Sequence, residues 1–398
     1  MIRMASVAQA LQLISEHAPV LGAELTPLSQ AFGRRLAEPV TAQVNQPPAD
    51  VSAMDGYAVI FDNAMLGAML KVTAESRAGL PWNGTVNPGE AVRIFTGAHL
   101  PLGANHVLIQ EDTRRDGDVI TVALRQDRPE NIRRTGLDFQ RGATLVPAGY
   151  IMTEGAISLA AAGNVSRVYV RKSPRIGVLA NGDELVAAGS PLTTSQIVNS
   201  IQPALIALLR RWGAEPVDLG VSRDDEADVR RRLGQPCDVI VSIGGASVGD
   251  YDVVRTAFAN AGFKPVFEKI AVKPGKPTWF SQASSQLALG LPGNPAAAMV
   301  TAHLFLKPLI DAMTGAPRQP TETQRARTST PLPASGTREE YLRAILTIDA
   351  SGAAQVKAAE NQDSSLLSPF LTANALIRRP VHSPAAAKGD LVEVVDLA

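Results

Sequence analysis

The feature that most restricts the fold is the short, largely apolar run Val239-Ile-Val-Ser-Ile243. It stops at Gly244-Gly245 and continues Ala246-Ser247-Val-Gly-Asp250-Tyr-Asp252. Runs of this length are the buried strands of parallel sheets, whose ligands bind beyond the strand carboxyl ends. The two glycines let the chain turn sharply and aim backbone N–H groups at an anion. Asp250 and Asp252 add hard oxygens that can share a divalent cation. An ordinary strand-to-helix turn with two solvated acids would read the same way. The chain downstream favours a site: Lys269, then Lys273-Pro-Gly-Lys276-Pro, then Leu291-Pro292-Gly-Asn-Pro295. Acids for a metal and lysines for phosphate, in one α/β unit, point to an anionic, nucleotide-like ligand.

Residues 171–316 alternate between strand and helix patterns. Strands are expected at 175–180, 215–220, 239–243, 278–281 and 286–290, with helices at 199–212, 227–233, up to 261 and from 294 or 295 to about 314. This alternation implies a doubly wound parallel sheet. The polar clusters 181–184, 223–225 and 244–252 follow successive strands, so a parallel sheet gathers them, with Glu184 and Asp224, on one edge. Pro295 suits a first helical turn, whose amino end can face a phosphate.

The remaining chain has other textures. Val7, Leu11 and Ile14 recur at helical spacing behind Ser6, a candidate cap, and a second helix is expected over 27–36. From Pro39 the pattern turns β-rich. Strands expected at 71–75, 91–95, 106–110 and 119–124 make a small β domain. It carries Ser52-Ala-Met-Asp55-Gly-Tyr-Ala58, Arg93-Ile-Phe-Thr96-Gly-Ala98 and Glu130-Asn-Ile-Arg-Arg-Thr-Gly-Leu-Asp138. Taken singly, these also read as a turn, a strand end and a solvated hairpin face. Thr153 is placed to cap a helix through Ala162. The texture of 1–44 resumes at 138–171, which makes 45–137 an insertion into a mixed α/β domain. Residues 172–316 then form the α/β domain, and a proline-rich linker opens a last β module, 317–398, that suggests a small barrel.

Lysine plus arginine and aspartate plus glutamate both number 38, so no global field draws in nucleic acid or membrane. The single cysteine, Cys237, excludes an internal disulfide framework and reads as a core residue rather than a nucleophile. Five scattered histidines make no zinc site. No apolar run approaches the ~18 residues of a membrane span, and no secretory leader opens the chain. A soluble, cytoplasmic protein is expected.

Together these motifs, with Gly182-Asp-Glu-Leu185, resemble the molybdopterin molybdenumtransferase family, the bacterial MoeA type and the corresponding catalytic domain of gephyrin-like proteins. The resemblance runs nearly end to end. It implies a molybdopterin-binding α/β domain, an inserted β domain, an elongated mixed domain and a C-terminal barrel. It further implies an elongated homodimer with sites formed where subunits meet, and insertion of molybdate into adenylylated molybdopterin with Mg2+-assisted release of AMP. Carried over by motif, Asp55, Asp138, Glu184, Asp224 and Asp252 are catalytic candidates, and the last three are metal candidates. Thr96, Gly244, Gly245, Ser247, Asp250, Lys269, Lys273, Lys276, Pro292, Pro295, Arg343 and Ser364 are the substrate-binding set. Molybdopterin adenylyltransferase and molybdoenzyme-maturation proteins are the implied partners. Two positions depart from the family pattern: Asn181 stands where Ser or Thr is common, and Ile243 where Ser is. The rival readings are molybdopterin adenylyltransferase itself, a nucleotide sensor without turnover, and a non-catalytic gephyrin-like scaffold.

Overall fold

A computed structural model describes residues 1–245, 253–316 and 323–397. The chain divides into two compact units, Met1–Ala23 with Arg171–Ala398, and Glu24–Val170.

The first unit is built on a sheet in which Glu215–Ser222, Arg175–Asn181, Val239–Ile243 and Leu287–Leu291 lie side by side and parallel. Trp279–Gln282 and Lys264–Phe267 extend it beyond Leu287–Leu291. The sheet is mixed rather than wholly parallel, because Trp279–Gln282 runs antiparallel to both neighbours. The reason is connection length: residues 283–286 suffice for a hairpin, whereas a parallel crossover needs about a dozen residues.

Both faces of the central strands are covered. Ile176, Val178, Val239, Val241, Leu289 and Leu291 pack in one cluster with Leu205 and Leu209 of helix Ile201–Arg211. Leu179, Ile240 and Ala288 pack on the other side with Val229, Leu233, Val254 and Phe258. That two-sided cover explains the unbroken apolar run. Each fully buried Val, Ile or Leu contributes roughly 1.5–3 kcal/mol.

Residues 1–23 belong to this unit, not with 24–44 as the sequence grouping expects. Helix Val7–His17 closes its amino end with a capping box in which Ser6 and Gln9 satisfy each other's backbone N–H. Its apolar face, Val7, Ala10 and Ile14, joins the same core as Leu309, Ile310 and Met313. Ahead of it, Ile2 and Ala5 hydrogen-bond to the 266–271 backbone. The expected helix over 27–36 is also absent: only the 3-10 turn Leu28–Gln30 forms. Gly33 takes φ +73, and Arg35 and Leu36 pair with Ile151 and Val170 as strand-like chain. Helix Pro295–Met313 is long and apolar enough to cross a membrane, against the sequence expectation, yet 67% of that stretch is buried inside the protein. It is a core helix.

The last module is a closed barrel. Among the described residues Glu339–Ile348, Ala354–Ala358, Gln324–Thr328, Leu391–Asp396 and Ala375–Arg379 pair in a ring, back to Glu339–Ile348. Ala326, Ala344, Val356, Ile377 and Val394 fill it.

The second unit holds a β sheet ordered His106–Ile109, Gly56–Val59, Glu90–Ile94, Met69–Ser76, Val119–Val122 and Thr113–Asp116. Separate clusters, one with Tyr57, Leu70 and Ile120 and one with Ala58, Val92 and Val107, pack against it. A smaller core around helix Glu154–Ala162, capped by Thr153 as expected, includes Leu36, Val40, Met152 and Val170.

Candidate functional site

In the first unit the chain leaves Arg175–Asn181 for Glu215–Ser222 on one side, then returns to Val239–Ile243 on the other. The switch point therefore lies between Asn181 and Gly244, where α/β sheets place their ligands. The loops after these strands are tied to one another. Gly182 N–H donates to Ser222 O at 3.2 Å, and Asp224 N–H to Asp183 Oδ1 at 3.3 Å. Gly182 takes φ +147, a conformation that favours glycine. Asp225 caps helix Glu226–Leu233, accepting from Ala227 and Asp228 N–H, and leaves Glu184 and Asp224 as acids on this edge, both exposed. Gly244 and Gly245 both have left-handed φ, +82 and +64, and Gly244 N–H donates to Leu291 O at 3.1 Å. A Cβ on Gly244 would meet Asn181 O at 2.9 Å. Asn181, one of the two departures from the family pattern, is buried beneath the edge. Ser247, Asp250 and Asp252 lie outside the described residues.

The lysine-bearing segment borders the same unit. Lys269 is half-buried and Lys276 is exposed. Lys273 Nζ is 3.2 Å from Glu340 Oε1 on the barrel, an ion pair that a phosphate would have to displace. The lysine end is exposed, but the Glu340 side chain is only 14% exposed. Pro292 is buried, and Pro295 opens the long helix as expected. The amino end of that helix is partly occupied: Ala296 N–H donates to Ser364 O at 2.9 Å, and Asn294 Nδ2 to Ser364 Oγ at 3.0 Å. Arg343, expected in the substrate-binding set, is instead 1% exposed. Its guanidinium donates to Leu366 O at 2.6 Å, Asp363 O at 2.9 Å and Asn361 O at 3.3 Å. It holds the Ser364 loop from beneath.

In the second unit three motifs converge. Val51–Ser52 pairs with Ile132–Arg133, and Ser52 exchanges backbone hydrogen bonds with Gly97 and Ala98. Asp55 Oδ1 accepts from Thr96 N–H at 2.8 Å and from its hydroxyl at 3.0 Å. These two bonds, backbone first, hold the Asp55 carboxyl below its ordinary value of 3.8. Arg93 donates to Gly56 O at 3.1 Å and lies over Tyr57 and Phe95, steadying the turn. Asp138 is exposed, its N–H bonded to Gln46 O at 2.9 Å, and makes no hydrogen bond to the Asp55–Thr96 pair.

Thr96→Val removes one donor and keeps the other, so the Asp55 carboxyl should titrate closer to its ordinary value. A depressed folded-state pKa gives stability that is present above the unfolded value and lost as pH falls through the folded one. The variant should therefore lose this contribution at higher pH than the wild type, and carboxyl NMR titration of Asp55 reads the shift directly. An unmoved Asp55 resonance would remove the hydroxyl from the interaction.

The structure adds groups that the motifs alone do not single out. Asp50 accepts from Thr135 N–H at 2.8 Å and Arg134 at 2.6 Å. Burial pushes its carboxyl up, but these bonds outweigh it and lower the pKa. His106 Nδ1 accepts from Glu130 N–H at 2.9 Å, pinning the start of the Asp138 motif. Burial lowers its pKa, which suits a neutral acceptor. The Pro47-Pro48-Ala-Asp50 turn is the available signal for the first; a lone histidine in a strand gives none.

These folds and edges define a MoeA-type multidomain protein. Residues 5–163 match the MoeA N-terminal region (domain I and II), 177–312 the probable molybdopterin binding domain, and 325–397 the MoeA C-terminal region (domain IV). A molybdopterin biosynthesis moea protein from Pyrococcus horikosii superposes with a TM-score of 0.85 at 26% identity, covering 100% of both chains. The molybdopterin molybdenumtransferase of Nostoc sp. is 35% identical, covering 94% of this chain and 88% of its own. That of Haemophilus influenzae is 32% identical over 92% of each. Molybdopterin molybdenumtransferase 2 of Mycobacterium tuberculosis is 33% identical, over 99% of this chain and 100% of its own. The chain belongs to the molybdopterin molybdenumtransferase family.

Proposed function

We propose that the protein inserts molybdate into adenylylated molybdopterin, with Mg2+-dependent release of AMP. The observation that carries this reading is the gathering of Glu184, Asp224 and the Gly244-Gly245 turn at the switch point of a domain matching molybdopterin-binding proteins. Lys269 and Lys276 supply charge for phosphate or molybdate oxygens, and backbone amides of a glycine turn suit the same anions. The pterin dithiolene provides the sulfur ligands for molybdenum, so one buried cysteine is compatible with the chemistry. Cleaving the phosphoanhydride with water releases AMP and leaves the pterin phosphate.

The donor set fits magnesium. Among the described residues no three Asp, Glu, His or Cys side chains close on one point, but Mg2+ is commonly held by one or two carboxylates plus substrate phosphates. Glu184, Asp224 and Asp252 would hold it, and when bound it would neutralise phosphate charge. Incubation with adenylylated molybdopterin, molybdate and Mg2+, scoring AMP release together with reconstitution of an apo-molybdoenzyme, tests the reading. Product formation from molybdopterin and ATP instead would favour the adenylyltransferase, and binding without turnover would favour a sensor or scaffold.

Asp252→Asn keeps size and removes charge. AMP release should fall by on the order of a hundredfold, consistent with losing one preorganised electrostatic group, with substrate still bound. Asp250→Asn, compared across a magnesium titration, separates the two acids. Wild-type magnesium dependence in the Asp252 variant would remove it from the mechanism.

A homodimer, a cytoplasmic location, and transfer from a molybdopterin adenylyltransferase toward molybdoenzyme-maturation proteins belong to the same proposal. Sedimentation should show twice the chain mass of 42.0 kDa. Full activity in a monomer would defeat the dimeric model.

A further inference from the structure

Beneath the ligand edge of the sheet, three polar side chains form a buried hydrogen-bonded chain. Asn181 is 4% exposed, and Ser222 and Ser242 are fully buried. Asn181 Nδ2 donates to Ser242 Oγ at 2.8 Å and to Ile243 O at 3.1 Å. Its Oδ1 accepts from the Ser222 hydroxyl at 2.7 Å. The Ile243 carbonyl can only accept, so the amide is oriented with its NH2 toward that strand and its oxygen toward Ser222. One side chain thereby joins the carboxyl ends of Arg175–Asn181, Glu215–Ser222 and Val239–Ile243, across the point where the strand order reverses. The loops that leave those three ends carry Glu184, Asp224 and Gly244-Gly245.

We propose that Asn181 is a positioning residue: it fixes the mutual spacing of these three loops, so that their acids and amides are set before substrate arrives. The proposal rests on the molybdenumtransferase function. A buried amide offers two donor hydrogens and an acceptor, and all three directions are used here. A hydroxyl has one donor hydrogen, so Asn181→Ser cannot donate to both Ser242 and Ile243. Asn181 touches no reacting atom. Its influence passes through the loops.

The test compares wild type with Asn181→Ser, Asn181→Leu and Ser222→Ala. Three bonded amides report the three loops: Gly182 (to Ser222 O), Arg223 (to Asp228 Oδ2) and Gly244 (to Leu291 O). In either Asn181 variant all three should exchange faster by about tenfold, the effect expected from a lost buried hydrogen bond. KM for adenylylated molybdopterin should rise by a similar factor, more than kcat falls. Ser222→Ala cuts one arm only, so Arg223 and Gly182 should loosen while Gly244 stays protected. If Asn181→Leu does not fold, the Ser and Ala variants carry the comparison. Exchange and KM unchanged in a folded Asn181→Ser overturn the proposal. So does uniform loosening of the whole sheet, the mark of a purely structural role. A wild type that turns over no substrate defeats the functional reading, and the exchange pattern still decides whether Asn181 couples the loops.

Discussion

Gly56→Ala is expected to destabilise the second unit by about 3 kcal/mol or more, at the upper end of overpacking costs. Gly56 lies in a strand paired on both sides, with Glu90–Ile94 and His106–Ile109. A Cβ there would fall 1.9 Å from Leu108 O and 2.9 Å from Leu108 C, both backbone atoms. No rotamer change relieves such a clash, so the strands must part. That breaks the turn holding Asp55 against Thr96 as well. Urea unfolding followed by circular dichroism measures the loss. Gly22→Ala, where an added Cβ has nothing within 4 Å, should stay within about 0.5 kcal/mol of wild type. Equal stability of the two variants would contradict the close strand approach.

Arg343→Ala should cost about 3 kcal/mol, because it strips donors from several loop acceptors in a buried setting. The carbonyls of Asn361, Asp363 and Leu366 lose their guanidinium, and Phe370 loses the cation 5.7 Å from its ring centre. Arg343→Lys should rescue little, since an ammonium cannot reproduce the planar fork. The loop then releases Ser364, and faster exchange of the Ala296 amide reports it. If Lys restores both melting temperature and Ala296 protection, charge alone suffices and the fork is irrelevant.

Much of the α/β unit is legible in the sequence because local signals agree with the fold. The run ending at Ile243 reads as a buried strand because both of its faces are covered. Ser6 and Thr153 announce helices by the hydrogen bonds that they accept. Other features depend on partners distant in sequence. Lys264–Phe267 has no strand signal because Pro265 argues against one, yet an edge position tolerates it. The 27–36 helix fails because Arg35 and Leu36 find pairing partners more than a hundred residues away. For the site, Asp55 and Thr96 come from separate motifs and are directly bonded in the fold. Arg343 joins the substrate-binding set through the family resemblance alone, and no local pattern reveals a guanidinium bonded to loop carbonyls.

The first 23 residues complete a core whose other parts begin at Arg171. On the ribosome this order has a cost in time. Helix Val7–His17 emerges well before its docking partners Leu309, Ile310 and Met313, which follow after an interval of roughly 15–60 s at ordinary elongation speeds. During that interval Glu24–Val170, whose strands pair among themselves, can fold as a self-contained insertion. The leading segment meanwhile keeps an apolar stripe exposed. A nascent-chain binder should therefore hold on to residues 1–23 until Leu309, Ile310 and Met313 have been made, and a rearranged chain that places this segment directly after them should shorten that exposure.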